Sequence, residues 1–264
     1  MPTASNEDTS LYYDISGEGI AGETVAFVGD VGYGAWLWGW QQPAVSGPFE
    51  ALVWDLRGTG RSDAPPGPYD VATLADDLEA VLSDAGARNA HLVGVGLGGL
   101  VALEYAHRHS RAETLTLMST AASGDEFEAP ERNLFADPGD EAALRGSLDA
   151  AFSPGFRERQ PDVVDGIVEW RRDGDAKPDA WRAQAAALES YDAGPLYEIT
   201  CPAFVMCGED DPVVSVSAAE SLAAELPKGE LAAFEGRHLF FVERSRPVND
   251  RLQGFLEEHA DLEL

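Results

Sequence analysis

Short apolar runs alternate along this chain with stretches whose apolar positions recur every three or four residues. Thr24 to Val28, Ala51 to Asp55, His91 to Val95, Thr114 to Ser119, Ala203 to Cys207 and Glu230 to Phe234 are short, apolar and bounded by turn formers. That pattern predicts strands buried on both faces of a parallel sheet. Leu11 to Ile15 reads as an edge strand ahead of Gly17-Glu18-Gly19. Helices are expected at Val71 to Ser83, Leu97 to His107, Ser215 to Leu226 and Pro247 to His259. In the first of these, Leu74, Leu78, Val81 and Leu82 follow the 3.6-residue period. Strands separated by helical stretches predict an α/β architecture with crossover helices.

Between Ala122 and about Pro195 the strand signal stops. Acidic helical patterns follow, broken by Pro130, Pro138, Pro154, Pro161 and Pro178. An unstructured acidic linker would be poor in aromatics. This stretch carries Phe127, Phe135, Phe152, Phe156, Trp170 and Trp181, which argues for a packed helical insertion. The expected organisation is a core formed by residues 1–121 and 196–264, with a helical cap at 122–195.

Composition changes the picture mainly through charge. Of 264 residues, 44% are hydrophobic, enough for a buried core. Asp and Glu total 47 against 18 Lys and Arg, a formal charge of −29, and the only lysines are Lys177 and Lys228. The acids are spread along the whole chain, so they suggest a surface tuned to solvent. Halophilic cytoplasmic proteins share this acid-rich, lysine-poor balance, and molar salt screens its self-repulsion within a few Å. The sign of the charge disfavours nucleic acid and anionic membranes as partners. No apolar run approaches the length of a membrane span, and the polar, acidic start at Met1 to Thr9 is unlike a secretory signal. A cytoplasmic protein is expected. Cys201 and Cys207 flank one strand; if extended they stand roughly 20 Å apart, beyond disulfide reach. They read as small core residues, and no spacing of His, Cys, Asp or Glu suggests a metal. Neither a metal nor another cofactor is expected, and the sequence leaves the oligomeric state open.

The chemistry centres on His91-Leu92-Val93-Gly94-Val95-Gly96-Leu97-Gly98-Gly99-Leu100. A strand, a sharp turn and a helix are the setting of a G-x-S-x-G nucleophile elbow, yet Gly96 stands where the serine belongs. Asp55-Leu56-Arg57-Gly58-Thr59-Gly60-Arg61-Ser62-Asp63, Gly208-Glu209-Asp210-Asp211-Pro212 and Gly236-Arg237-His238-Leu239-Phe240 follow in order, each after an expected strand. With these four motifs the chain resembles the α/β-hydrolase superfamily over almost its whole length. The resemblance implies a mostly parallel central sheet flanked by helices, with a helical cap. It makes His238 the catalytic histidine and Asp211, the aspartate immediately before proline, its acid partner in preference to Asp210. Read from the residues alone, His238 lies in a glycine-containing loop past a strand, where functional groups on α/β sheets gather. His107 and His109 sit at a helix end, His91 opens a strand and His259 lies near the last residue; these read as surface positions.

Two further departures stand in the same site. The family usually carries His-Gly after its third strand, followed by a residue whose N–H helps form the oxyanion hole. Aligning Trp36 and Trp38 puts Gly29 and Asp30 at the His-Gly positions. Val31 and Leu97 then supply the two oxyanion N–H groups, with Tyr33 in the same loop. A carboxylate pointing into that hole would oppose a developing negative charge, at a cost of about 3 kcal/mol per donor lost. Asp30 can equally turn away and bond its own loop, as Asp often does. Ser119, Thr120 and Ser123 follow the strand beside the elbow and stand near the expected pocket rim. A laboratory knockout would alter the nucleophile alone; differences at 29, 30 and 96 suggest natural divergence, although an engineered change at 96 of an unusual homologue is compatible with the sequence. The implied function is action on a small, apolar, ester-like molecule without a serine nucleophile. His238, oriented by Asp211, would activate a water for which Gly96 leaves room. The alternatives are a catalytically inactive, ligand-binding pseudo-hydrolase, and cofactor-free proton abstraction by His238.

Overall fold

A computed structural model describes residues 2–17, 23–129 and 134–260. The turn expected at Gly17-Glu18-Gly19 and the break at Pro130 therefore fall partly or wholly outside the described residues. Among the described residues eight strands form one sheet in the order β1-β2-β4-β3-β5-β6-β7-β8. They are β1 (Thr3–Asn6), β2 (Thr9–Ser16), β3 (Thr24–Val28), β4 (Glu50–Trp54), β5 (Ala90–Val95), β6 (Ala112–Met118), β7 (Ala203–Gly208) and β8 (Gly229–Phe234). From β4 across to β8 every pairing is parallel, while β1 and β2 add an antiparallel margin. β3, β5 and β7 are buried at every position, which is why their sequences read as unbroken apolar runs. Leu11 to Ile15 is not at the edge. The short strand Thr3–Asn6, from a segment whose polarity hid it, pairs outside it.

The helices are α1 (Gln42–Val45), α2 (Val71–Asp84), α3 (Leu97–Arg108), α4 (Glu141–Ala151), α5 (Pro154–Arg159), α6 (Pro161–Gly174), α7 (Pro178–Glu189), α8 (Val216–Glu225), α9 (Phe240–Glu243) and α10 (Ser245–His259). Two apolar clusters cover the two faces of the sheet. One gathers Leu74, Leu78, Val101 and Leu222 beneath α2, α3 and α8; the other gathers Trp38, Phe241, Leu252 and Phe255 beneath α10. The start of α2 is fixed by Asp70, whose carboxylate accepts from the Thr73 N–H at 2.6 Å. His91 is fully buried, not at the surface. Its ring bonds Thr114 Oγ1 at 2.9 Å and Glu23 at 3.0 Å, so a polar residue opening a strand is here a satisfied core group.

Register positions the site. Val28 pairs with Gly94, and Val95 pairs with Met118, so the loops after β3, β5 and β6 emerge side by side at the carboxyl edge of the sheet. Helices α4 to α7 lie between β6 and β7 in the chain and are tied across this edge. Ala176 N–H donates to Gly32 O at 2.8 Å, Gly60 N–H to Gly174 O at 2.8 Å, and Leu239 N–H to Ala151 O at 3.0 Å. No helix among the described residues is long and apolar enough to cross a membrane.

Candidate active site

Gly96 occupies the apex of the turn between β5 and α3 with φ 53° and ψ −117°, a backbone state that penalises any side chain. The turn needs small residues for a second reason. A Cβ at Gly98 would stand 2.1 Å from Val28 O, so α3 can start against the end of β3 only if that position is glycine. The same approach brings Asp30 to Gly96. A Cβ at position 96 would lie 1.9 Å from Asp30 Oδ1. The room expected for a water in front of Gly96 is therefore filled by the Asp30 carboxylate.

Asp30 points inward. Its Oδ1 accepts from Val31 N–H at 2.7 Å and from Leu97 N–H at 2.9 Å, so the two backbone donors converge on one carboxylate oxygen. Leu97 opens α3, whose aligned peptide dipoles add favourable potential for an anion at this end. Asp30 Oδ2 lies 2.9 Å from His238 Nε2. On the other side of the ring, His238 Nδ1 lies 3.1 and 3.0 Å from Asp211 Oδ1 and Oδ2. Asp211 Oδ1 also accepts from the N–H groups of Val213 at 2.8 Å and Val214 at 3.2 Å, which anchors it in the loop after β7. Asp210 has no bond to His238; its N–H donates to Gly236 O at 3.0 Å. Asp30 and His238 are each 0% exposed. Burial alone would lower the His238 pKa, but the charges and hydrogen bonds of Asp211 and Asp30 outweigh it and push it up to about 10. At neutral pH the ring is an imidazolium that donates one N–H to each carboxylate.

The remaining expected residues are placed as follows. Ser119 Oγ donates to His238 O at 2.8 Å and Thr120 Oγ1 donates to Gly96 O at 2.8 Å, so both hydroxyls brace backbone. Ser123 belongs to a capping box with Glu126. Tyr33 is buried, and its hydroxyl has no hydrogen-bond partner among the described residues. Burial, with smaller contributions from Asp175 and Asp30 against an opposing one from Arg171, pushes its pKa up to about 12, so the phenol stays protonated. Gly29 directly follows β3, ahead of the turn at Val31 and Gly32.

Sequence reasoning missed the supports of this loop. Asp55 Oδ1 accepts from Ala35 N–H at 2.8 Å and Asp55 Oδ2 from Arg61 N–H at 3.0 Å, so the D-x-R-G segment braces the loop after β3. Gln184 of α7 accepts from Gly32 N–H at 2.7 Å and donates to Arg57 O at 2.8 Å. Arg171 and Asp175 form a buried ion pair at 2.7 Å, and Asp175 also accepts from Trp36 Nε1 at 2.9 Å. The Arg171 guanidinium stacks over the Tyr33 ring at 4.8 Å. The i, i+4 spacing of Arg171 and Asp175 was readable in the sequence, but it looks the same on a solvated helix face. Trp181 packs on the loop so closely that a Cβ at Gly32 would meet its ring at 2.3 Å, and its Nε1 has no hydrogen-bond partner among the described residues. Trp170, by contrast, is 46% exposed and faces solvent. Among the described residues no group of three or more His, Cys, Asp or Glu could hold a metal ion.

Residues 27–251 match the model of the alpha/beta hydrolase family. The chain is 28% identical over 269 residues to RutD of Azorhizobium caulinodans, named as a carbamate hydrolase, covering 98% of this chain and 99% of that protein. It is 26% identical to 3-oxoadipate enol-lactonase 2 of Acinetobacter baylyi, with 97% and 96% covered. Among solved structures it is similar to the enol-lactonase of Burkholderia xenovorans, at 25% identity and a TM-score of 0.85, with 97% and 100% of the two chains covered.

Proposed function

The chain belongs to the alpha/beta hydrolase family, and from that premise we propose that it hydrolyses a small, largely apolar organic molecule without an acyl-serine. The observation that carries this reading is the placement of one carboxylate. Asp30 fills the cradle formed by Val31 and Leu97 N–H at 2.7 and 2.9 Å and meets His238 Nε2 at 2.9 Å. A carboxylate in that position takes the place of both a serine hydroxyl and an oxyanion. The working set is then Asp30, His238 and Asp211. In the resting state His238 is protonated and unable to act as a base. Once a bound substrate neutralises or displaces Asp30, the ring loses one of its two anionic partners, its proton affinity falls, and it can draw a proton from water. Helices α4 to α7 serve as a cap that excludes bulk water from this step.

A second reading, a ligand-binding protein that no longer catalyses, is favoured by the complete burial of Asp30 and His238 in a fully bonded network. One experiment separates the two. Turnover is measured on short-chain activated esters, an enol-lactone, a carbamate and a primary alkyl bromide, with the wild-type protein and His238→Ala. Turnover of any of these that vanishes in the variant supports the enzyme. Background rates throughout, with saturable binding of an apolar ligand, overturn it in favour of the binding protein.

A further inference from the structure

We propose that the surface cavity between α6 and the Gly39-Trp40 segment ahead of α1 binds an organic cation of the quaternary ammonium class. The cavity has a volume of about 430 Å³ and is lined by Gly39, Trp40, Asp162, Val163, Gly166 and Trp170. Small-molecule sites span roughly 300–1,000 Å³, so the size suits a small ligand. None of these residues belongs to the Asp30, His238 and Asp211 cluster, and occupancy of the cavity does not depend on hydrolysis. Positions 162, 166 and 170 recur every four residues along α6 and share one face of that helix. Gly166 leaves the middle of the face without a side chain. The Trp170 ring lies back over that gap, 3.7 Å from where a Cβ at Gly166 would stand.

Half of the chain's six tryptophans gather here. The rings of Trp40 and Trp170, which both line the cavity, are inclined at 70° with centroids 5.9 Å apart. Trp170 rests in turn on Trp36, at 6.3 Å between centroids and 32° between planes. The walls are held in place: Trp36 Nε1 donates to Asp175 at 2.9 Å, and Trp40 O accepts from Asn249 Nδ2 at 2.9 Å. A cation seated in the angle between two such rings falls within the roughly 6 Å over which an indole face attracts positive charge. Trp170 remains 46% exposed, so this apolar ring stands in water until something covers it. Charge decides what does. No basic residue lines the cavity, while the Asp162 carboxylate does, and it makes no ion pair among the described residues. Asp162 also stands in the first turn of α6, where it opposes the positive end of the helix dipole. The formal charge of −29 draws cations toward the whole surface. A bare metal ion would have to shed water against indole rings. A methylated ammonium group turns its methyls to Trp40, Val163 and Trp170 and keeps its charge for Asp162 and the ring faces.

The test is a titration of the full chain with choline at constant total chloride, so that KCl falls as choline chloride rises. Indole N–H signals are followed in proton–nitrogen correlation spectra. The expected result is a saturable shift at Trp40 and Trp170. The neutral alcohol in which carbon replaces the nitrogen of choline should bind at least about fivefold more weakly. Trp170→Leu, which keeps apolar surface but loses the ring face, should weaken choline by a similar factor, read at Trp40. Asp162→Asn should weaken choline and leave the neutral alcohol unchanged. Gly166→Leu fills the cavity from a helical position where its Cβ makes only ordinary contact with Trp170, so binding should vanish with the helix content intact by circular dichroism. Equal affinity for choline and the neutral alcohol would make this an apolar groove and overturn the inference. Shifts that never saturate would mean a diffuse ion atmosphere and would overturn it too, as would undiminished binding in Gly166→Leu.

Discussion

At position 96 a missing side chain and the carboxylate of Asp30 compete for one volume. Restoring the serine alone places a Cβ where Asp30 Oδ1 now sits, 1.9 Å away on the present geometry. Gly96→Ser should therefore lower stability and give no esterase activity, because the carboxylate still holds the cradle. Asp30→Gly alone empties the cradle but supplies no nucleophile. The double variant should turn over activated esters at a rate well above the sum of the singles, since the groups act as a unit. Steady-state kinetics of all three variants check this, and appreciable activity in Gly96→Ser alone would contradict the competition. The proton on His238 yields a second expectation. Its pKa is raised from 6.5 to about 10 in the folded protein, so its contribution to stability is complete below about pH 6.5 and is lost as pH rises through about 10. Denaturant midpoints should fall across that window. In Asp30→Asn, which removes one of the raising partners, nuclear magnetic resonance should find the ring titrating at lower pH.

Loops and helices hold that residue cluster in place, and the support comes from α6 as much as from the sheet. Arg171 and Asp175 join α6 to Trp36, to Gly34 and, through stacking, to Tyr33. Removing one member leaves a buried charge without its partner. Asp175→Ala should destabilise the fold by about 3–5 kcal/mol. Arg171→Met combined with Asp175→Ala should recover much of that loss, because no charge is then left alone. Equilibrium unfolding of the two variants measures the difference. Equal losses in both would mean that packing, and not the unpaired guanidinium, sets the cost.

Over the whole molecule, the formal charge of −29 acts against the compact state in dilute buffer. Screening by molar KCl should raise the thermal midpoint steadily, as expected of a halophilic surface. A scan of Tm against KCl concentration tests it, and a flat or falling curve would leave the acidic surface without that explanation. The ion pairs on the surface change little, since exposed pairs contribute at most about 1 kcal/mol each.

Much of the architecture was legible because periodicity is local. Unbroken apolar runs separated by helical stretches define a parallel sheet with crossovers, and β3, β5 and β7 are buried at every position. β1 escaped because a four-residue polar strand at a sheet margin has no periodic signature, and its pairing with β2 exists only once the sheet is built. His91 was misread because a histidine at the start of a strand looks exposed until Thr114 and Glu23 are brought to its ring. Sequence alone placed Asp211 and His238 in successive loops and put a carboxylate at 30 and a glycine at 96. It left open which way Asp30 turns. That choice depends on the register of β3 against β5, on the start of α3, and on the distance from position 30 to His238, far along the chain. Such a contact is written in no short stretch of sequence; it follows from the packing that brings the loop ends to one edge of the sheet.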